Sequence, residues 1–65
     1  MKPSDIHVGV TYINCKAGRT RRKVTEIDRT HDLVQFRQRG SDGIFIEHSL
    51  SLSTFARWAG RPVNP

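Results

Sequence analysis

The sequence is short of cysteine, of long apolar runs and of acidic residues, and each shortage removes a class of protein. A single cysteine, Cys15, leaves no partner for an intramolecular disulfide. Small secreted domains normally carry several, so a reducing, cytoplasmic setting is expected. No apolar run approaches ~20 residues, so no membrane-spanning helix is expected and no membrane partner with it. Met1 to Val8 holds Lys2, Pro3, Asp5 and His7. It has no apolar h-region, so no signal peptide is expected.

The chemistry that is missing matters as much. There is no Cys-x-x-Cys, and Cys15 with His7, His31 and His48 falls at spacings of 8, 16 and 17. Zinc patterns do not use such spacings, so no metal site is expected. There is no phosphate-cradling glycine loop, and Gly40-Ser41-Asp42-Gly43 reads as a turn. Asp28 and Asp32 flank a connection, where side-chain bonds to the backbone are the ordinary role. With no nucleophile, base and orienting group in any local arrangement, no enzymatic activity and no cofactor are expected. Size agrees. A chain of 65 residues with 35% hydrophobic content forms one thin-cored domain, and enclosing a substrate would consume that core.

What is present is positive charge. Eleven Lys and Arg stand against six Asp and Glu, a formal net charge of +5, and eight of the eleven are arginine. Such a field attracts DNA, RNA or another acidic surface. It also serves to keep a small domain soluble.

The chain reads as four to five strands and a short helix. His7 to Asn14 alternates Val8, Val10 and Tyr12 with Gly9, Thr11 and Ile13, the composition of a strand, with Gly9 marking a bend or bulge. Cys15 to Gly18 is a predicted turn. Arg19 to Asp28 is a predicted second strand. Its apolar Val24 and Ile27 stand three apart, so a bulge near Thr25 and Glu26 is needed to return Ile27 to the core. Asp32 to Arg39 follows, with Val34 and Phe36 inward and Leu33 on the opposite face. After the Gly40 to Gly43 hairpin, Ile44, Phe45 and Ile46 fall in succession within a strand over Gly43 to His48. That run predicts a strand covered on both faces.

The period then changes. Leu52, Phe55, Ala56 and Ala59 fall at i, i+3, i+4 and i+7, one helical stripe. Ser51 is the expected N-cap, Gly60 suits the C′ position, and Pro62 ends the helix. So short a helix does not form alone in water, so its stripe must dock on the sheet. Trp58 lies beside the stripe. Residues 1–6 and 61–65 are expected to be loose. The expected fold is mainly β: a small SH3-like barrel of four to five antiparallel strands with a short C-terminal helix, since closure removes exposed edges. An open sheet packed by one helix is the alternative.

A resemblance supports the barrel. Gly18-x-x-Arg21-x-Lys23-Val24-x-x-Ile27-Asp28, followed by Val34-x-Phe36, resembles the rhythm of KOW and Tudor-type SH3-like barrels. The wider frame adds Gly9-x-x-Tyr12, Gly18 and Phe55-x-x-Trp58-Ala59, and resembles small prophage-encoded proteins with such barrels. It covers about fifty residues and rests on apolar and turn positions. It implies the fold and, for KOW-type relatives, RNA or transcription and ribosome partners. It carries no ligand-binding residue across.

Two candidate surfaces emerge. Arg19, Arg21 and Lys23 share one alternation of the second strand, and Arg37 and Arg39 the outward alternation of the third. Pairing around Arg29 to His31 sets Lys23 opposite Arg37 and Arg21 opposite Arg39. Like charges across a ladder destabilise it, so the arrangement invites an anionic partner, and arginine suits phosphate and bases. The plain alternative is a solvated face. Tyr12, Phe45 and Trp58 are possible stacking platforms. A domain this small also needs aromatics as core, Phe36 and Phe55 foremost, with Tyr12 the most exposed. The second surface is an apolar edge near Tyr12, Leu33 and Trp58 that takes a protein partner. A stabilising fragment of a larger assembly is a third possibility. The oligomeric state is left open.

Overall fold

Five strands and one helix follow each other as β1 (Thr11–Ile13), β2 (Arg21–Asp28), β3 (Leu33–Arg39), β4 (Phe45–Ser51), α1 (Leu52–Trp58) and β5 (Arg61–Pro62). They belong to a computed structural model that describes residues 1–14, 20–40 and 42–63. All strands pair antiparallel in a single sheet of order β4-β3-β2-β1-β5. The sheet is open, with β4 at one edge and β5 at the other. The fold is therefore mainly β with one short helix, as the sequence predicts, and a closed barrel is not what is seen. The expected turn over Cys15 to Gly18 and the candidate Arg19 lie outside the described residues.

The register of β2 on β3 turns on Thr25. Val24 stands opposite Phe36, whereas Glu26 stands opposite Gln35. Thr25 is the extra residue, and its hydroxyl donates to the Gln35 carbonyl at 3.2 Å. The bulge returns Ile27 to the face of Val24, opposite Val34. The β2–β3 connection is held from both ends. Asp28 Oδ1 accepts from the Thr30 and His31 amides at 3.1 and 3.2 Å. Asp32 takes a φ of 54°, a left-handed conformation that aspartate tolerates. From there its carbonyl accepts the Leu52 amide at 2.9 Å and its carboxylate accepts the Ser53 hydroxyl. One loop residue thus fixes where the helix begins.

The helix itself follows the stripe. Ser51 caps it, its hydroxyl accepting the Thr54 amide at 3.1 Å, which satisfies one of the first-turn donors. Leu52, Phe55, Ala56 and Ala59 are buried against Ile6, Tyr12, Val24, Val34 and Phe36. Gly60 does not form a left-handed cap. Its amide donates to the Ile13 carbonyl at 2.7 Å, and that of Val63 to the Thr11 carbonyl at 2.8 Å, so the chain leaves the helix directly into β5.

Three further expectations fail. The chain ends are not loose over the described residues. Pro3–Asp5 forms a 3-10 turn, Ile6 is fully buried, and Arg29 holds the turn by donating to the Pro3 and Ile6 carbonyls at 3.2 and 2.8 Å. Arg61 and Pro62 pair with Ile13 and Tyr12. Tyr12 is therefore not an exposed edge residue. Its strand is flanked on both sides, and its ring meets Phe55 edge to face at 5.9 Å. Its hydroxyl accepts the His7 amide at 2.8 Å and donates to the Asp5 carbonyl at 3.1 Å. Finally, β4 is not covered on both faces. Ile44, Phe45 and Ile46 are 62%, 64% and 50% exposed, because β4 is the outermost strand and the helix follows its far end, beyond Ser51.

Candidate nucleic-acid interface

The two faces of the sheet separate the basic residues by parity. On the helix side, Arg22 stands opposite Tyr12 and Gln38. Its guanidinium lies 4.2 Å from the Trp58 ring centre and 4.8 Å from that of Phe36, and Nε donates to Gln38 Oε1 at 2.9 Å. Burial lowers its pKa from the ordinary value, yet a guanidinium stays charged, and the stacked rings compensate part of its lost hydration. Arg22 is a packing residue. It also explains Trp58, which is half-buried beneath it and is not a free platform.

Arg21, Lys23, Arg37 and Arg39 go the other way. All four are exposed, on the face of β2 and β3 turned from the helix. Lys23 stands opposite Arg37 and Arg22 opposite Gln38, and continuing that register by one more position brings Arg21 level with Arg39. Their only close carboxylate among the described residues is Glu47, opposite Arg37 on β4. It lies 3.7 Å from Arg37 Nε, with both side chains more than half exposed. A pair like that contributes little. Arg21, Lys23 and Arg39 have no carboxylate partner among the described residues. The structure places these four side chains on one face of two paired strands.

Beside them the β3–β4 hairpin turns tightly. The Gly40 amide donates to the Ile44 carbonyl at 2.8 Å, and the Gly43 amide to the Gly40 carbonyl at 3.0 Å. Asp42 Oδ1 accepts the Ile44 amide at 3.1 Å. Gly43 has a φ of 85°, where a side chain would be strained. Thr20, Arg21, Gln38, Arg39, Gly40 and Phe45 line a cleft of about 530 Å³ at this corner. Phe45 stands opposite Arg39 and is therefore on the same face as the cations.

The opposite end of this face carries the other sign. Glu26 and Asp28 follow the bulge, and Leu33 and Gln35 stand beside them. The Asp28 carboxyl is held below its usual range by a 2.8 Å hydrogen bond to His31 Nδ1. The sheet face thus runs from basic at the β3–β4 hairpin to acidic at the β2–β3 hairpin.

The expected apolar edge does not assemble. Tyr12 is in the core, Trp58 lies under Arg22, and Leu33, 47% exposed, stands at the acidic end. Exposed apolar surface gathers instead at Ile44, Phe45 and Ile46. Phe45 was a possible stacking platform from sequence, but nothing in an apolar triplet says whether a strand is central or outermost. Among the described residues, no three His, Cys, Asp or Glu cluster as a metal site, and no helix is long and apolar enough to cross a membrane. No family model, curated protein or solved structure matches the chain.

Proposed function

We propose that this chain is a nucleic-acid-binding module without catalytic activity, engaging phosphates through Arg21, Lys23, Arg37 and Arg39. The observation that carries the reading is the placement of four exposed cations on the adjacent strands β2 and β3, with one exposed carboxylate, Glu47, beside Arg37 on β4. Lys23 against Arg37 costs the ladder stability, and an anionic ligand would relieve it. The resemblance to KOW and Tudor-type SH3-like barrels favours the same reading, the wider frame from Gly9 to Ala59 favours a prophage origin, and the single cysteine favours a cytoplasmic setting.

The test is fluorescence anisotropy with labelled single-stranded DNA, RNA and duplex at about 50 and 200 mM salt. Neutralising four phosphates gives a log–log salt slope of about −3.6 on duplex and about −2.8 on a single strand. Single-strand affinity should then fall roughly fifty-fold between the two salts. Absence of binding at the lower salt overturns the reading. A second reading, contact with a protein through Ile44, Phe45 and Ile46, is favoured by their exposure. It predicts binding that survives high salt and is lost in Ile46→Lys.

A further inference from the structure

We propose that the cleft at the β3–β4 hairpin receives one unpaired base of a single strand, stacked on Phe45, with flanking phosphates on Arg21 and Arg39. This rests on the nucleic-acid reading and names the form of nucleic acid.

Four features of the corner argue for it. The cleft of about 530 Å³ lies within the ~300–1,000 Å³ range of small-ligand sites. Its one aromatic, Phe45, is 64% exposed and makes no ring contact with another aromatic among the described residues. An exposed ring beside cations is the arrangement by which sequence-tolerant single-strand binders work, because every base has a π-face. Arg21 and Arg39 both line the cleft, and among the described residues no carboxylate pairs with either. Arg39 Nη2 lies 3.5 Å from the point where a Cβ on Gly43 would stand, so the guanidinium rests along the glycine turn.

Thr20 completes the wall beside Arg21, whereas the Gln38 side chain turns to Arg22 on the helix side. A duplex offers phosphates to the same cations but keeps its base faces stacked, so it cannot use Phe45. DNA and RNA strands share the chemistry the cleft recognises, and no wall residue selects the 2′-hydroxyl.

The experiment compares four labelled ligands of equal length on the full chain at about 50 mM salt: oligo-dT, oligo-rU, an abasic strand and a duplex. Oligo-dT and oligo-rU should bind roughly tenfold more tightly than the abasic strand. Phe45→Ala should remove that advantage, leave abasic and duplex affinity unchanged, and Phe45→Tyr should restore it. Circular dichroism of each variant should match the parent. Equal affinity for oligo-dT, oligo-rU and the abasic strand overturns the inference while leaving the basic face intact. So does an equal loss on strand and duplex in Phe45→Ala. A preference for only one of oligo-dT and oligo-rU retains the cleft and overturns its indifference to the sugar. No salt-dependent binding of any ligand overturns both readings.

Discussion

The two faces of this sheet treat the same residue type in opposite ways. On the helix side, Arg22 is stacked between Trp58 and Phe36 and hydrogen-bonded to Gln38. On the open side, its neighbours Arg21 and Lys23 face Arg37 and Arg39 with one carboxylate among them. A charge that holds a fold together finds aromatic faces and an acceptor. On the open face, among the described residues, only Arg37 has a carboxylate near it, the exposed Glu47, and Lys23 stands opposite its own sign, which costs the ladder stability. The contrast extends to phenylalanine, for Phe55 is fully buried where Phe45 is 64% exposed.

That contrast is broken most forcefully at the two phenylalanines. Phe55→Ala should cost about 3–5 kcal/mol, enough to unfold a chain of this size. Phe45→Ala should stay within about 0.5 kcal/mol, both read by urea denaturation. Next in size is Tyr12→Phe, which strips a buried hydroxyl from the His7 amide and Asp5 carbonyl. It should cost about 1–3 kcal/mol, and thermal unfolding would show it. The arginines sharpen the comparison further. Arg22→Ala should cost about 2 kcal/mol from lost stacking and a charged hydrogen bond. Arg21→Ala should cost nothing measurable, and of the two only Arg21→Ala should reduce the salt slope of binding.

The smallest effect lies at the acidic end. His31 depresses the Asp28 carboxyl, so the folded state holds its proton less tightly than the unfolded chain does. That contribution is present above the unfolded value near ~3.9 and is lost as pH falls through the lower folded value. Asp28→Asn should therefore flatten the acid limb of a stability–pH curve below about pH 4. A curve unchanged by the substitution would remove this pair from the account.

Much of the fold was legible because local chemistry dictates it. The three-residue gap from Val24 to Ile27 demands a bulge, and Thr25 provides it. The Ser51 cap and the Leu52, Phe55, Ala56, Ala59 stripe specify a helix whose apolar side must be buried. What was not legible depends on the order of strands in space. Arg61 and Pro62 carry no strand pattern, and they pair only because the helix delivers them beside β1. Once they do, Tyr12 changes from an edge residue to a core one. Ile6 is a lone apolar side chain in a polar stretch, buried by contacts distant in sequence. The Ile44 to Ile46 run suits a central strand, but β4 is the outermost one. The basic face was legible because parity within two paired strands is enough to place it, whereas the cleft needed Phe45 to be uncovered.

The central claim is that the open-face cations are held against stability for an anionic ligand, and Lys23→Glu tests it most directly. The substitution replaces a like-charge pair with an opposite one across from Arg37. Measured together, stability should rise by about 0.5 kcal/mol while single-strand affinity at about 50 mM salt falls more than tenfold. A variant that gains stability and binds as before, or a parent chain that binds nothing, would contradict the account and leave the basic face as a solvated surface.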